Sequence, residues 1–82
     1  MTWNNQIIFH DKDKEPWYGL HEVFRDGEKI LNYTEEAIDF VCDEDETEQG
    51  IIKSLELALR DVQKWPVLIE SEIVLEEDPI EL

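Results

Sequence analysis

Cations, cysteine and glycine are what this chain has least of. Seven Lys and Arg stand against 22 Asp and Glu, a formal net charge of −15 over 82 residues. Nucleic acids are bound through Lys and Arg that neutralise phosphates, so so base-poor a chain is not expected to bind DNA or RNA directly. An anionic lipid surface would repel it as well. The single Cys42 has no intrachain partner, and MTWNNQIIFH lacks the basic region and apolar run of a secretory signal. A cytoplasmic location is the expectation. No stretch approaches the ~18 consecutive apolar residues of a membrane helix. With three glycines the chain can hardly build a Gly-rich phosphate loop or a nucleophile elbow, and neither motif is present.

What is present suffices for a thin core. Hydrophobic residues make up 41% of the chain, with three Trp, two Tyr and three Phe, more than a disordered acidic tail carries. A single small domain over 1–78 is expected, with 79–82 a frayed end. TWNNQIIF reads as a first strand and HDKDKEP as a polar connector. WYGLHEVF and KILNYT flank Asp26-Gly27, a pair that tolerates the positive φ of a tight hairpin. A two-residue Asp26-Gly27 loop would set Val23 against Ile30 and Leu20 against Tyr33. One more loop residue would instead pair Val23 with Leu31 and His21 with Tyr33. Residues 35–41 read as extended or irregular.

A helix is expected over about 47–64, with Thr47 as N-cap and acids before it at the positive end of the helix dipole. Ile51, Ile52, Leu55, Ala58, Leu59 and Val62 recur at helical spacing as one apolar stripe, and Leu57 falls off it. Pro66 stops the helix near Trp65. Residues 67–75 alternate like a strand but end in acids, so a fourth strand and an irregular tail are equally good readings. The order of elements predicts an α+β fold, a small antiparallel sheet of three strands, or four, packed against one helix.

Four candidate sites can be weighed. Counted from Asp11, DKDKEPWYGLHE has acids at positions 1, 3, 5 and 12, as in a calcium loop. Its sixth position is Pro16, however, where that loop needs Gly, and strands rather than helices flank it. His10, His21 and Cys42 could ligate zinc only through a tertiary assembly, because no HxxxH, CxxC or HExxH spacing brings them together. His21 and Glu22 are neighbours on a strand and point to opposite faces, so they cannot act on one atom, and His21 reads as a hydrogen-bonded residue of the sheet. Carboxylates around Cys42 raise its thiol pKa, the reverse of what a nucleophile needs. No catalytic, cofactor or metal residues are assigned, and no enzyme activity is expected.

Charge segregation is the stronger signal. Glu35–Gly50 holds eight acids and no base, and Val67–Leu82 holds six acids and no base. Such runs ordinarily solvate a surface. The functional alternative is that they occupy the place of nucleic-acid phosphates in a basic protein groove, with long-range steering making the encounter fast and salt-sensitive. The contacts so implied are Glu35, Glu36, Asp39, Asp43, Glu44, Asp45, Glu46 and Glu48, then Glu70, Glu72, Glu76 and Glu77. Trp17 and Tyr18 are candidate aromatic anchors. An interaction domain built on these sheet aromatics, or a homodimer through an open strand edge, is the competing reading.

WYGLHEVF, the DG turn, YTEE, the connector ending in Thr47, the helix and PVLIES together resemble a set of small bacterial and phage proteins with a His-Glu-Val hairpin core and a closing Pro-Val-Leu. The resemblance spans most of Trp3 to Glu70 and departs at Gly50 and in the acidic tail after Ser71. It implies a prokaryotic or phage origin and a structural hairpin, and carries over no catalytic role. By class rather than by sequence, small acidic phage proteins with segregated charge are similar to anti-restriction and anti-CRISPR nucleic-acid mimics.

Overall fold

A computed structural model describes residues 1–41 and 44–75. Strands β1 (Thr2–His10), β2 (Trp17–Asp26) and β3 (Lys29–Tyr33) are followed by a 3-10 turn (Glu44–Glu46), helix α1 (Thr47–Lys64), a short β4 (Leu68–Ile69) and a second 3-10 turn (Glu70–Glu72). The four strands form one curled sheet in the order β3-β2-β1-β4. The α+β fold read from the sequence is therefore the fold observed. The ends of the expected domain and tail, 76–82, lie outside the described residues.

Two details of the sheet differ from expectation. In the hairpin, Asp26 pairs with Lys29 and Arg25 with Ile30, but Phe24 pairs with Asn32 and Val23 with Tyr33. The loop is thus Gly27-Glu28, with Gly27 at φ 64°, and Leu31 is an extra bulge residue. Neither expected register holds. The bulge turns Tyr33 onto the face of Val23 and His21, where its ring meets the His21 ring edge-on at 6.0 Å.

The fourth strand exists but covers two residues, and it runs parallel to β1, with Leu68 beside Ile8 and Ile69 beside Phe9. The cause lies at the helix exit. Trp65 is extended, as a residue before proline should be, and the Gln6 amide donates to the Pro66 carbonyl at 2.7 Å. The chain re-enters the sheet at the level of Gln6 and can only continue in the direction of β1. Helical crossovers commonly join parallel strands in this way.

Orientation of α1 corrects the largest sequence expectation. Only Ala58 of the apolar stripe is buried, whereas Ile52, Leu55 and Leu59 are 40, 47 and 58% exposed. Asp61 fixes this roll of the helix. Its carboxylate accepts from the Asn5 amide N–H at 2.9 Å and from the Asn5 side chain at 3.2 Å, which turns the side carrying Ser54, Ala58 and Asp61 toward the sheet. Two hydrogen bonds, one to a backbone donor that would otherwise lack a partner, outweigh apolar area that stays half in water. The expected Thr47 N-cap is displaced by one residue: Glu46 holds the cap position without a side-chain cap bond, and Thr47 opens the helix at φ 56°, its hydroxyl accepting from the Gln49 N–H at 3.3 Å.

The inner face of the curl is polar. Asn4, Gln6, Ile8 and His10 of β1 and Gly19, His21, Val23 and Arg25 of β2 share it, and all are buried. Arg25 is only 5% exposed. It donates through Nε to Asn4 Oδ1 at 2.7 Å, through Nη2 to Gln6 Oε1, and through Nη1 to the Glu28 carbonyl at 3.4 Å. Its guanidinium lies 4.2 Å from the centroid of the Trp65 ring. No carboxylate pairs with it among the described residues, and loss of hydration lowers its pKa. A buried cation held by neutral acceptors depends on every one of them. Arg25→Ala strands the Asn4 and Gln6 oxygens and should cost about 3 kcal/mol of unfolding free energy. Arg25→Lys keeps the charge, loses the fork, and should cost about half as much. Urea midpoints at unchanged m-value measure both; a wild-type midpoint for Arg25→Ala would show that the guanidinium stabilises nothing.

Candidate functional site

At the other end of the inner face the two histidines meet. The β1–β2 register sets His10 opposite Trp17 and His21 opposite Gln6, so His10 and His21 are diagonal neighbours on one face. Their Nε2 atoms lie 2.8 Å apart. Gly19 makes the approach possible, since a Cβ there would sit 2.7 Å from His21 Nε2 and 2.7 Å from the Trp17 ring. Trp17 stacks on His10 with centroids 4.2 Å apart and planes 14° from parallel.

The partners dictate where the protons are. His21 Nδ1 faces the Thr34 carbonyl at 2.8 Å, which only accepts, so Nδ1 carries the hydrogen. His21 Nε2 then accepts from His10 Nε2–H, unless a proton is added. His10 Nδ1 faces Glu70 Oε2 at 3.2 Å, a contact between two mostly buried side chains that is an ion pair when the imidazole is protonated. A proton on His21 Nε2 would confront the one on His10, and the His21 pKa is lowered, first by burial and also by the His10 charge, against the opposing pull of the Thr34 carbonyl.

His10, His21 and Glu70 bond one another in a line; among the described residues no group of three His, Cys, Asp or Glu is arranged to hold a metal ion, and Cys42, the third ligand of the zinc reading, lies outside them. Glu70 comes from the turn after β4, whose other oxygen meets the Lys12 N–H at 3.4 Å. Next to it, the Asp11 carboxylate accepts from the Ser71 N–H at 3.0 Å and from its hydroxyl at 2.5 Å, a bond that holds the Asp11 carboxyl below its ordinary pKa. DKDKEP is accordingly a connector, and its first acid fastens the chain's later turn. His21 and Glu22 do lie on opposite faces, as strand parity requires. Convergence of the two histidines went unread because it depends on the β1–β2 register, which no local motif signals.

The acidic residues are elsewhere. After β3 the Thr34 N–H binds the Glu22 carbonyl at 3.0 Å and the Ile38 N–H binds the Leu20 carbonyl at 2.8 Å. The segment thus follows β2 before it crosses the outer face toward Trp3 and α1. Glu35, Glu36, Asp39, Asp45, Glu46, Glu48 and Glu72 are all exposed. Glu44 starts the 3-10 turn, whereas Asp43, Glu76 and Glu77 lie outside the described residues. The one ion pair among the described residues is His10–Glu70, so Glu70 is committed to the fold while Glu35, Glu36, Asp39, Asp45, Glu48 and Glu72 face no cation. The candidate anchors also divide. Trp17 is occupied with His10 and donates its indole N–H to Asp13 at 2.5 Å, whereas Tyr18, 67% exposed, leans on Phe9 at the outer face with centroids 4.7 Å apart.

The refusal of a second proton by His21 has a measurable consequence. Unfolded histidine titrates near ~6.5, so below that pH the unfolded chain takes up a proton that folded His21 declines. Stability should fall as pH drops below about 6.5, by at most ~1.4 kcal/mol per unit for one proton. His21→Gln removes that contribution, and the wild-type minus variant difference in urea midpoint between pH 7.5 and 5.5 isolates it from the carboxylates. Identical pH profiles in the two proteins would refute that refusal.

Compared with family models, with curated proteins and with solved structures, the chain matches none, and nothing in those comparisons bears on the resemblance carried by the WYGLHEVF hairpin.

Proposed function

We propose that this protein is a non-enzymatic, acidic protein-binding module, a phage or mobile-element inhibitor that docks on the basic nucleic-acid-binding surface of a defence protein in the place of phosphates. The observation that carries this reading is the first acidic block. Glu35, Glu36, Asp39, Asp45, Glu46 and Glu48 stand exposed along the edge and outer face of the sheet and at the start of α1, and no cation pairs with Glu35, Glu36, Asp39, Asp45 or Glu48 among the described residues. A solubilising surface would tolerate interspersed bases, whereas a row of phosphate stand-ins gains from having none. One cation that could dilute it, Arg25, is instead buried.

One observation favours a second reading. Ile52, Leu55 and Leu59 form a half-exposed apolar row on α1, and rows of this kind seat partner helices. Such a contact, like one through Tyr18, would strengthen or hold steady in salt.

Immobilised protein incubated with host lysate separates the two. Electrostatic docking predicts captured nucleic-acid-binding proteins that are released on the order of tenfold between 50 and 500 mM salt, displaced by added duplex DNA or RNA, and not captured by a Glu35→Lys, Glu36→Lys, Asp45→Lys, Glu48→Lys variant. Capture that survives salt and nucleic acid but is lost on Leu55→Glu would establish the helix contact and refute mimicry.

A further inference from the structure

The outer face holds a cavity that neither the charge blocks nor the histidine centre explains. About 170 Å³ in volume, it lies where residues 38–41 cross the sheet beside α1. Trp3, Phe40 and Leu57 supply apolar walls, and Glu22 and Asp39 bring carboxylates to it. Cross-strand pairing of Asn5 with Glu22 aims Glu22 outward, beside the Asn5 that is already bound by Asp61. Neither the Glu22 nor the Asp39 carboxylate has a hydrogen-bond or ion-pair partner among the described residues, and no base lines the cavity. Trp3 is half-exposed at its rim.

Two free carboxylates beside an indole and a phenyl ring form a receptor for an organic cation. The carboxylates attract the charge, and the rings accept a flat cation on their faces and shelter its apolar stem. A neutral or anionic ligand would leave both carboxylates uncompensated. We propose that this cavity receives an arginine side chain of the basic partner, its guanidinium paired with Glu22 and Asp39 and its plane against Trp3 or Phe40. This rests on the reading of the protein as an acidic docking module and names the place where that docking is anchored. Arginine rather than lysine follows from the wall chemistry, since a planar, weakly hydrated fork both stacks and pairs with carboxylates, and an ammonium does only the second well. Trp3 thereby becomes an interface anchor, a role the sequence pattern had assigned to Trp17 and Tyr18.

The test uses the full chain and three capped tripeptides, Gly-Arg-Gly, Gly-Lys-Gly and Gly-citrulline-Gly, at 50 mM salt. Nuclear magnetic resonance shifts should move the Trp3 indole N–H and the Ser54 and Leu57 amides on addition of the arginine peptide, with citrulline producing no shift and lysine several-fold weaker binding. Trp3→Ala, Glu22→Gln and Asp39→Asn should each weaken the arginine peptide about two- to fivefold, with the dispersion of the remaining amide signals showing that the fold is intact. Shifts that appear instead at Asp45–Glu48 or around Glu72, or equal shifts from the citrulline peptide, would overturn the cavity assignment. Equal binding of the lysine peptide would overturn the guanidinium. Lysate capture that keeps its salt and nucleic-acid sensitivity in the Trp3→Ala, Glu22→Gln, Asp39→Asn triple variant would refute the cavity while leaving the docking module standing. Peptide binding at the cavity together with salt-insensitive capture would refute the docking module instead.

Discussion

A guanidinium enclosed by the curl of a four-stranded sheet, with no carboxylate beside it, sets the conditions for most of what surrounds it. Arg25 is tolerated because the side chains of Asn4 and Gln6 accept from it and Trp65 offers a ring face. Gln6 is the hinge of that arrangement. Its oxygen accepts from Arg25 while its nitrogen donates to the Pro66 carbonyl, so a residue that hydrogen-bonds the buried cation also decides where the chain leaves the helix. From that point β4 lies against Ile8 and Phe9, and Glu70 arrives at His10. The histidine centre is in this sense downstream of Arg25. Few apolar residues share the work, for Ile8, Val23 and Ala58 are the buried hydrophobic core of the described residues, and a core that thin leaves directed polar contacts to specify the arrangement.

Charge is sorted by depth. The interior holds Arg25 and the His10–Glu70 pair, and the exterior is rich in carboxylates that nothing within the described chain pairs. The two halves of this pattern support one another. Every acid drawn inward to compensate an interior cation would be lost from the surface, and around Arg25 the fold uses neutral amides and a carbonyl for that purpose. The Glu70 charge is felt even at Tyr33 across the inner face, where burial first and that carboxylate second push the phenol pKa up.

How much of this could be read from the residues differs by element. Alternation and the Asp-Gly pair marked three strands, and Thr47 and Pro66 marked both ends of the helix, because those signals act through a residue's own backbone. The roll of α1 could not be read. Periodicity identifies an apolar stripe but not which side of it meets the sheet, and the choice was made by Asp61 reaching an Asn5 amide 56 residues away. The hairpin register was misread for a similar reason, since a bulge at Leu31 has no local signature and exists to bring Tyr33 inside. Of the site, the acids facing solvent were legible as a block in the sequence. That Glu70 belongs to His10, that Trp17 covers it, and that Trp3, Glu22 and Asp39 share one cavity were not.

By itself, then, the sequence determined the class of fold, the segregation of charge and the absence of any local catalytic or phosphate-binding motif, since composition and short-range spacing are enough for these. Tertiary structure alone decided the rest: the parallel β4, the outward-facing apolar row of α1, the convergence of His10 with His21, and which carboxylates remain free. Each of those depends on contacts between residues far apart in the chain, and such contacts are chosen by which buried donors and acceptors must find a partner.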